Sequence, residues 1–566
     1  YNLYIIIKII YLDKEITMKH FIRAISTSLA LLTTISTCVI SVNAKTNPFN
    51  LTRGTGCIED TDTPSLDSNS GLSSSSHNLP KVVDLSTDES FPKVGDQGQY
   101  GSCTAWATTY YQFGYEVAAM NGWNAKNDTT KQFSPKWTYN IINNGVDEGS
   151  SYDSAYFLLS KQGAVRFSEF TPSNNVNKTD TSEFTEWYLD TNGMKNALKY
   201  RISDYYHRSF ANTRTAETPI VSPNSACLTT MKSLLNSGKI LTISTDFGEW
   251  DYQNLTSQYK SSLNGQYVCI KQYDPDGKRS GHAMAIVGYD DNISYDLNGD
   301  GVIQTYEKGA FKIVNSWGTN YGNDGFIWVM YDALNKVSNT DKQNVSTRKP
   351  IFDSYGYYYI NVEEYSLDLI AEVSLSQTTR NEVKLKLGQS DYSSTAPSNY
   401  AYTMLQYNGG DNFNFSGLSN SKSSATFVFD YGTLLKAEMS KQNFYVTITD
   451  KDTGNPTTIN SIKLIDKSGK NVVNDTINKV IDRYAILYKY SLGKVGDINN
   501  DNIIDTRDIT DLQNYLSGTL DLSANDKLVA DVNGDGEISV NDVLALQYYV
   551  AGINDNFANG IFVELS

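Results

Sequence analysis

The chain has 566 residues, with 47 Lys and Arg against 63 Asp and Glu and a formal net charge of −16. That acidity argues against nucleic-acid binding, which needs a basic footprint. The length exceeds a single hydrophobic core and predicts two to four domains, while 40% hydrophobic and 19% charged residues fit a folded globular protein.

Residues 1–17 precede Met18 and read as a non-native upstream extension. Residues 18–44 read as a secretory signal: Lys19, His20 and Arg23 start it, an apolar run follows, and Val42-Asn43-Ala44 supplies a small-residue cleavage site. Export is therefore expected, with no membrane span after cleavage. Residues 45–79, rich in Ser, Asp, Asn and Gly, read as a linker or short pro-segment. Residues 80–345 mix helix-like and strand-like segments. Residues 350–490 switch to period-two runs such as Glu382–Leu387, Ala425–Phe429 and Phe444–Thr449, which predicts an all-β sandwich-like module. Residues 494–553 repeat with a period of 34, Asp497–Asp508 aligning with Asp531–Asp542, and each following helix stops at a glycine, Gly518 or Gly552.

Chemistry concentrates in three blocks of the 80–345 region. In Gln97-Gly-Gln-Tyr-Gly-Ser-Cys103 a thiol opens a helix-like segment, where the dipole favours thiolate. A neighbouring imidazolium can bring such a thiol down to about 3–4. Gln97 can add its amide to the Cys103 N–H as an oxyanion hole. Ser280-Gly-His282-Ala-Met-Ala places a histidine at the head of an apolar strand, and Val314-Asn315-Ser-Trp317-Gly brings an amide and a shielding indole. Nucleophile, base and orienter in this order form an acyl-transfer set.

These blocks resemble the papain family of cysteine peptidases over residues 80–345. The resemblance implies Cys103 as nucleophile, His282 as base and acid, Asn315 as orienter and Gln97 as oxyanion donor. It implies an α+β, two-lobed domain with the cleft between a helical half and a β half, and Gly149, Ser150 and Trp317 about the substrate. Tyr100 stands where the family has a structural Cys, so the disulfide beside the nucleophile is absent, and Thr104 replaces the family's Trp after the nucleophile. If Cys103 stays free, one pair can form among Cys57, Cys227 and Cys269, with Cys227–Cys269 the first choice. The alternative function is a catalytically silent binding or inhibitory subunit.

Asp296–Glu307, between His282 and Asn315, follows an EF-hand pattern, with Asp296, Asn298, Asp300, the Val302 carbonyl, Gln304 and Glu307 as calcium ligands. The duplicate offers Asp497, Asn499, Asp501, Ile503 carbonyl, Asp505 and Asp508, then Asp531, Asn533, Asp535, Glu537 carbonyl, Ser539 and Asp542. Loop plus exit helix, twice, resembles the type I dockerin of cellulosome subunits. That implies two calcium ions in this small α module, besides one in the insertion, and a cohesin partner on an extracellular scaffold.

Overall fold

The computed structural model describes residues 53–58, 79–173, 180–208, 226–246, 249–256, 263–273, 281–334, 348–349, 351, 356–407, 410, 413–435, 439–451 and 454–565. The expected upstream extension, the signal with its Ala44 site, and most of 45–79 lie outside these residues.

The helical half begins at Cys103. An α-helical turn (Cys103–Ala105) passes into a π-helical stretch (Trp106–Phe113) and returns to α-helix (Gly114–Asn121). π-Geometry is uncommon and often marks a functional site. Two further helices are fixed by local chemistry. Ser134 caps Pro135–Ile142 with proline in its first turn, and Ser151 caps Tyr152–Gln162, which stops at Gly163 with φ 64°.

The β half is one sheet that contains ten strands among the described residues. Its main order is Tyr200–Arg208, Tyr357–Glu364, Leu241–Asp246, Gly281–Ser294, Lys308–Val314, Phe326–Met330, Tyr267–Tyr273 and Glu249–Asn254. Its central strand carries Ala283, Met284, Ala285, Ile286 and Val287, all buried, as a strand covered on both faces requires. Helix Tyr152–Gln162 is tied to the sheet by Tyr152, which donates to the Ile243 carbonyl at 2.6 Å. Tyr357–Glu364 pairs with Tyr200–Arg208 over its whole length. The first sheet therefore runs past residue 350, where the sandwich was expected to begin.

The sandwich follows as two antiparallel sheets, of four and five strands among the described residues. It shares one apolar cluster with the helical half, from Trp137 and Leu158 to Phe427 and Val446. A buried Arg201–Asp430 ion pair at 2.5 Å crosses the seam, and the Gln162 side chain donates to the Val428 carbonyl at 2.8 Å. Helices Thr506–Leu516, Ala524–Ala530 and Val540–Val550 then pack around Leu512, Val532 and Leu546. Strand Phe562–Glu564 returns to pair with Ala485–Lys494, so the helical module is anchored to the sandwich at both of its ends. Among the described residues no helix is long and apolar enough to cross a membrane.

Candidate active site and calcium loops

The helix opening at Cys103 and the strand opening at Gly281 meet edge on. The Cys103 sulfur accepts the Ala283 N–H at 3.4 Å, which sets the thiol beside the His282 strand. His282 Nε2 lies 2.9 Å from Asn315 Oδ1. That oxygen also accepts the Ser316 N–H at 2.8 Å, so it is the acceptor of the pair and Nε2 is the donor. Nε2 is thus taken by Asn315, and Nδ1 is the second ring nitrogen. The Trp317 ring sits 4.8 Å from the imidazole and covers this hydrogen bond.

Gln97 is held from both sides. Its Oε1 accepts from the Ser316 hydroxyl at 2.5 Å, and its Nε2 donates to the Tyr100 and Gly54 carbonyls at 2.8 and 3.0 Å. Thr104 donates to the Ser150 carbonyl at 3.0 Å and so ties the nucleophile helix to the Gly149–Ser150 stretch. The structure thus brings together Cys103, His282, Asn315, Gln97, Gly149, Ser150 and Trp317.

Other supports had no motif to flag them. Asp147 accepts the Gly101 N–H at 2.7 Å and the Tyr139 hydroxyl at 2.6 Å, fixing the turn before Cys103. Tyr111 donates to the Asn315 carbonyl and accepts the Gly95 N–H, both at 3.0 Å, joining the π-helical stretch to the opposite wall.

Residues 53–58 lie along the cleft. Gly54 N–H donates to Gly98, Cys57 N–H to Gly281, Ile58 N–H to Ser150, and Ser150 N–H to Gly56, at 2.8 to 3.0 Å. Arg53 grips Asp96 with two bonds of 2.9 and 2.8 Å. Gly54 and Gly56 make the close approach feasible. A Cβ on Gly54 would stand 2.1 Å from the Tyr100 carbonyl oxygen, and one on Gly56 would stand 2.3 Å from that of Gly101. The sequence hinted at this only through alternate glycines in a polar stretch.

Covering the cleft changes its electrostatics. Cys103, His282 and Asn315 are all 0% exposed. Burial pushes the Cys103 thiol up to about 11, while backbone N–H groups of Ala283, Gly56 and Thr104 pull it back. Burial likewise holds His282 down to about 4, opposed by its bond to Asn315. The thiolate expected from the helix dipole is therefore not the form the closed cleft favours, because desolvation outweighs the helix terminus. The expected Cys227–Cys269 disulfide is also corrected. None of the four described cysteines is in a disulfide: Cys227 lies on a helix against Met231 and Cys269 in a strand.

The three loops share one pattern. In each, the last acidic side chain reaches back across the loop: Glu307 to the N–H groups of Leu297, Asn298 and Gln304, Asp508 to Ile498, Asn499 and Asp505, and Asp542 to Asn533 and Ser539. All three also close a capping box. Among the described residues no His, Cys, Asp or Glu side chains gather in threes as a ready-made metal cluster. Asp497 is nevertheless buried with neither carboxylate oxygen in a hydrogen bond of ordinary length. A buried carboxylate in that state fits a cation.

No curated protein matches the chain. Solved structures are similar over about half of it, among them the three that follow. Xylellain, a cysteine protease from Xylella fastidiosa, has 20% identity and a TM-score of 0.34, covering 55% of this chain and 96% of its own. Procathepsin B S9 from Trypanosoma congolense has 14% and 0.35, covering 56% and 87%. Bromelain from Ananas comosus, in complex with the E64 inhibitor, has 16% and 0.31, covering 50% and 100%. Residues 495–551 match the family model described as the Dockerin type I domain.

Proposed function

We propose that this chain is a secreted cysteine endopeptidase, held latent by its own residues 53–58 and docked to an extracellular scaffold by residues 495–551. The observation that carries the reading is the convergence of Cys103, His282, Asn315 and Gln97 from two walls of one cleft. Cys103 attacks the scissile carbonyl, His282 accepts the thiol proton at Nδ1 and returns it to the leaving amine, and Asn315 keeps the ring in that tautomer. Gln97 Nε2 and the Cys103 N–H hold the oxyanion. Gly149 and Ser150 pair with substrate backbone, and Trp317 keeps water from the Asn315–His282 bond.

The segment's Gly56 backbone N–H is a hydrogen-bond donor to the Cys103 sulfur, so the nucleophile is engaged while the cover is in place. A silent subunit would share the covered cleft, but it would not need the Gln97 clamp. Stoichiometric labelling by an epoxide thiol inhibitor after displacement of the segment, lost in Cys103→Ala, supports the enzyme. Labelling that persists in Cys103→Ala sinks it.

Calcium is the group the loops would hold. The candidate ligands are Asp497, Asn499, Asp501, Ile503, Asp505 and Asp508 in one dockerin loop and Asp531, Asn533, Asp535, Glu537, Ser539 and Asp542 in the other. Asp296, Asn298, Asp300, Val302, Gln304 and Glu307 would hold a third ion. When bound, the ion neutralises these carboxylates and stiffens its loop. The 296–307 loop joins the His282 strand to the Asn315 strand, so the third ion would steady base against orienter. The partner of the 495–551 module is a cohesin domain.

A further inference from the structure

The Arg53–Asp96 pair lies at one end of the cleft, and its position has a chemical meaning. Asp96 forms a backbone bridge with Trp317, whose ring covers His282. Gly149 and Ser150 stand at the opposite end, where Gly56 and Ile58 pair. Because His282 protonates the departing amine, Asp96 marks the leaving-group side.

The site is already built. Asp96 Oδ1 accepts the Gly98 N–H at 2.9 Å, which fixes the carboxylate plane while both its oxygens face the Arg53 guanidinium. Arg53 keeps only 11% of its side chain exposed. A planar, half-enclosed carboxylate matched by two parallel N–H donors discriminates a guanidinium from a neutral isostere by geometry as well as charge.

We propose that Asp96 is a specificity subsite of the peptidase, occupied by Arg53 in the latent chain and by an Arg or Lys side chain of the substrate once residues 53–58 are displaced. The inference rests on the peptidase reading. It assigns that enzyme a preference for cationic residues just after the scissile bond.

The test uses the full chain carrying Gly54→Ala and Gly56→Ala, whose added methyls displace the segment. Matched peptides carry Arg, citrulline or Glu at the first or second position after the scissile bond. At one of these positions kcat/KM for Arg should exceed that for citrulline by about tenfold or more, with Glu lowest. Asp96→Asn should collapse the Arg-to-citrulline ratio to near one, whereas general damage to the oxyanion side would lower both peptides alike. An Arg-to-citrulline ratio near one in the parent, or one unchanged in Asp96→Asn, overturns the subsite.

A second measurement needs no turnover: the same peptides are scored by how well they protect Cys103 from iodoacetamide. Arg-selective protection without hydrolysis supports the subsite and contradicts the peptidase. Equal protection by Arg and citrulline peptides overturns the subsite. If Asp96→Asn fails to fold, Arg53→Gln in the otherwise native chain replaces it: faster Cys103 alkylation is expected, and an unchanged rate counts against the site.

Discussion

Cys103 and His282 meet as neutral partners in the covered cleft because burial disfavours the charged form of each. For Cys103 the covered state favours the thiol, so its contribution to stability is present below the ordinary value of 9.0 and lost as pH rises through about 11. For His282 the neutral ring is favoured, so its contribution is present above the ordinary 6.5 and lost as pH falls through about 4. Two outcomes follow. Iodoacetamide labelling of Cys103 in the native chain should rise steeply only above pH 9, and moderate acid, between about 6.5 and 4, should loosen the cover. In Gly56→Ala the methyl meets the Gly101 carbonyl, so labelling should become rapid near neutral pH. Equal pH profiles for native chain and variant would refute the cover.

At this scale much was legible. Gln97, Cys103, His282 and Asn315 each sit in a short motif, and their meeting in one place could be expected from those motifs. Asp147 and Tyr111 were not legible, since each acts through a contact made only in the folded chain. The burial of Cys103 was not legible for a related reason: the sequence displays the helix terminus but not the six residues lying over it.

Among elements, the seam that joins the sandwich to the rest of the chain rests partly on one buried ion pair, from strand Tyr200–Arg208 to Asp430. Arg201 and Asp430 are 2% and 6% exposed, and burial pushes the Asp430 carboxyl up despite its partner. Removing one member strands the other. Arg201→Met should therefore cost about 3–5 kcal/mol by urea unfolding, and adding Asp430→Asn should recover a large part of it. No recovery would mean that the pair is not what the seam depends on.

The loops make a second prediction at this scale. Native mass spectrometry should count three calcium ions on the full chain and two on Glu307→Gln, with a lower melting temperature for the variant. Three ions on both would remove the insertion from the list of sites. The loop pattern was readable because its polar positions lie close together in the sequence. Strand Tyr357–Glu364 was not, because its alternation is the same whether it pairs with a sandwich strand or with Tyr200–Arg208.

The whole molecule is a chain of coupled parts rather than beads on a linker. The apolar cluster running from Trp137 to Phe427 also includes Cys103, so the sandwich is part of the core that holds the candidate site. Ending the protein at residue 350 should therefore give an unfolded or aggregated product by circular dichroism, because it removes strand Tyr357–Glu364 and uncovers that cluster. A soluble, native-like fragment would show that the sandwich is dispensable. Period-two patterning revealed the sandwich but not its attachment, which depends on buried pairs far apart in sequence.

For the whole molecule we propose a complete Cys103–His282–Asn315 set that lies latent beneath residues 53–58. Casein hydrolysis by the full chain tests it most directly, compared among native sequence, Gly54→Ala with Gly56→Ala, and that pair with Cys103→Ala. Little turnover is expected in the first, a rise of at least tenfold in the second and none in the third. Full activity in the native chain would contradict the latency, and activity that survives Cys103→Ala would contradict the machinery.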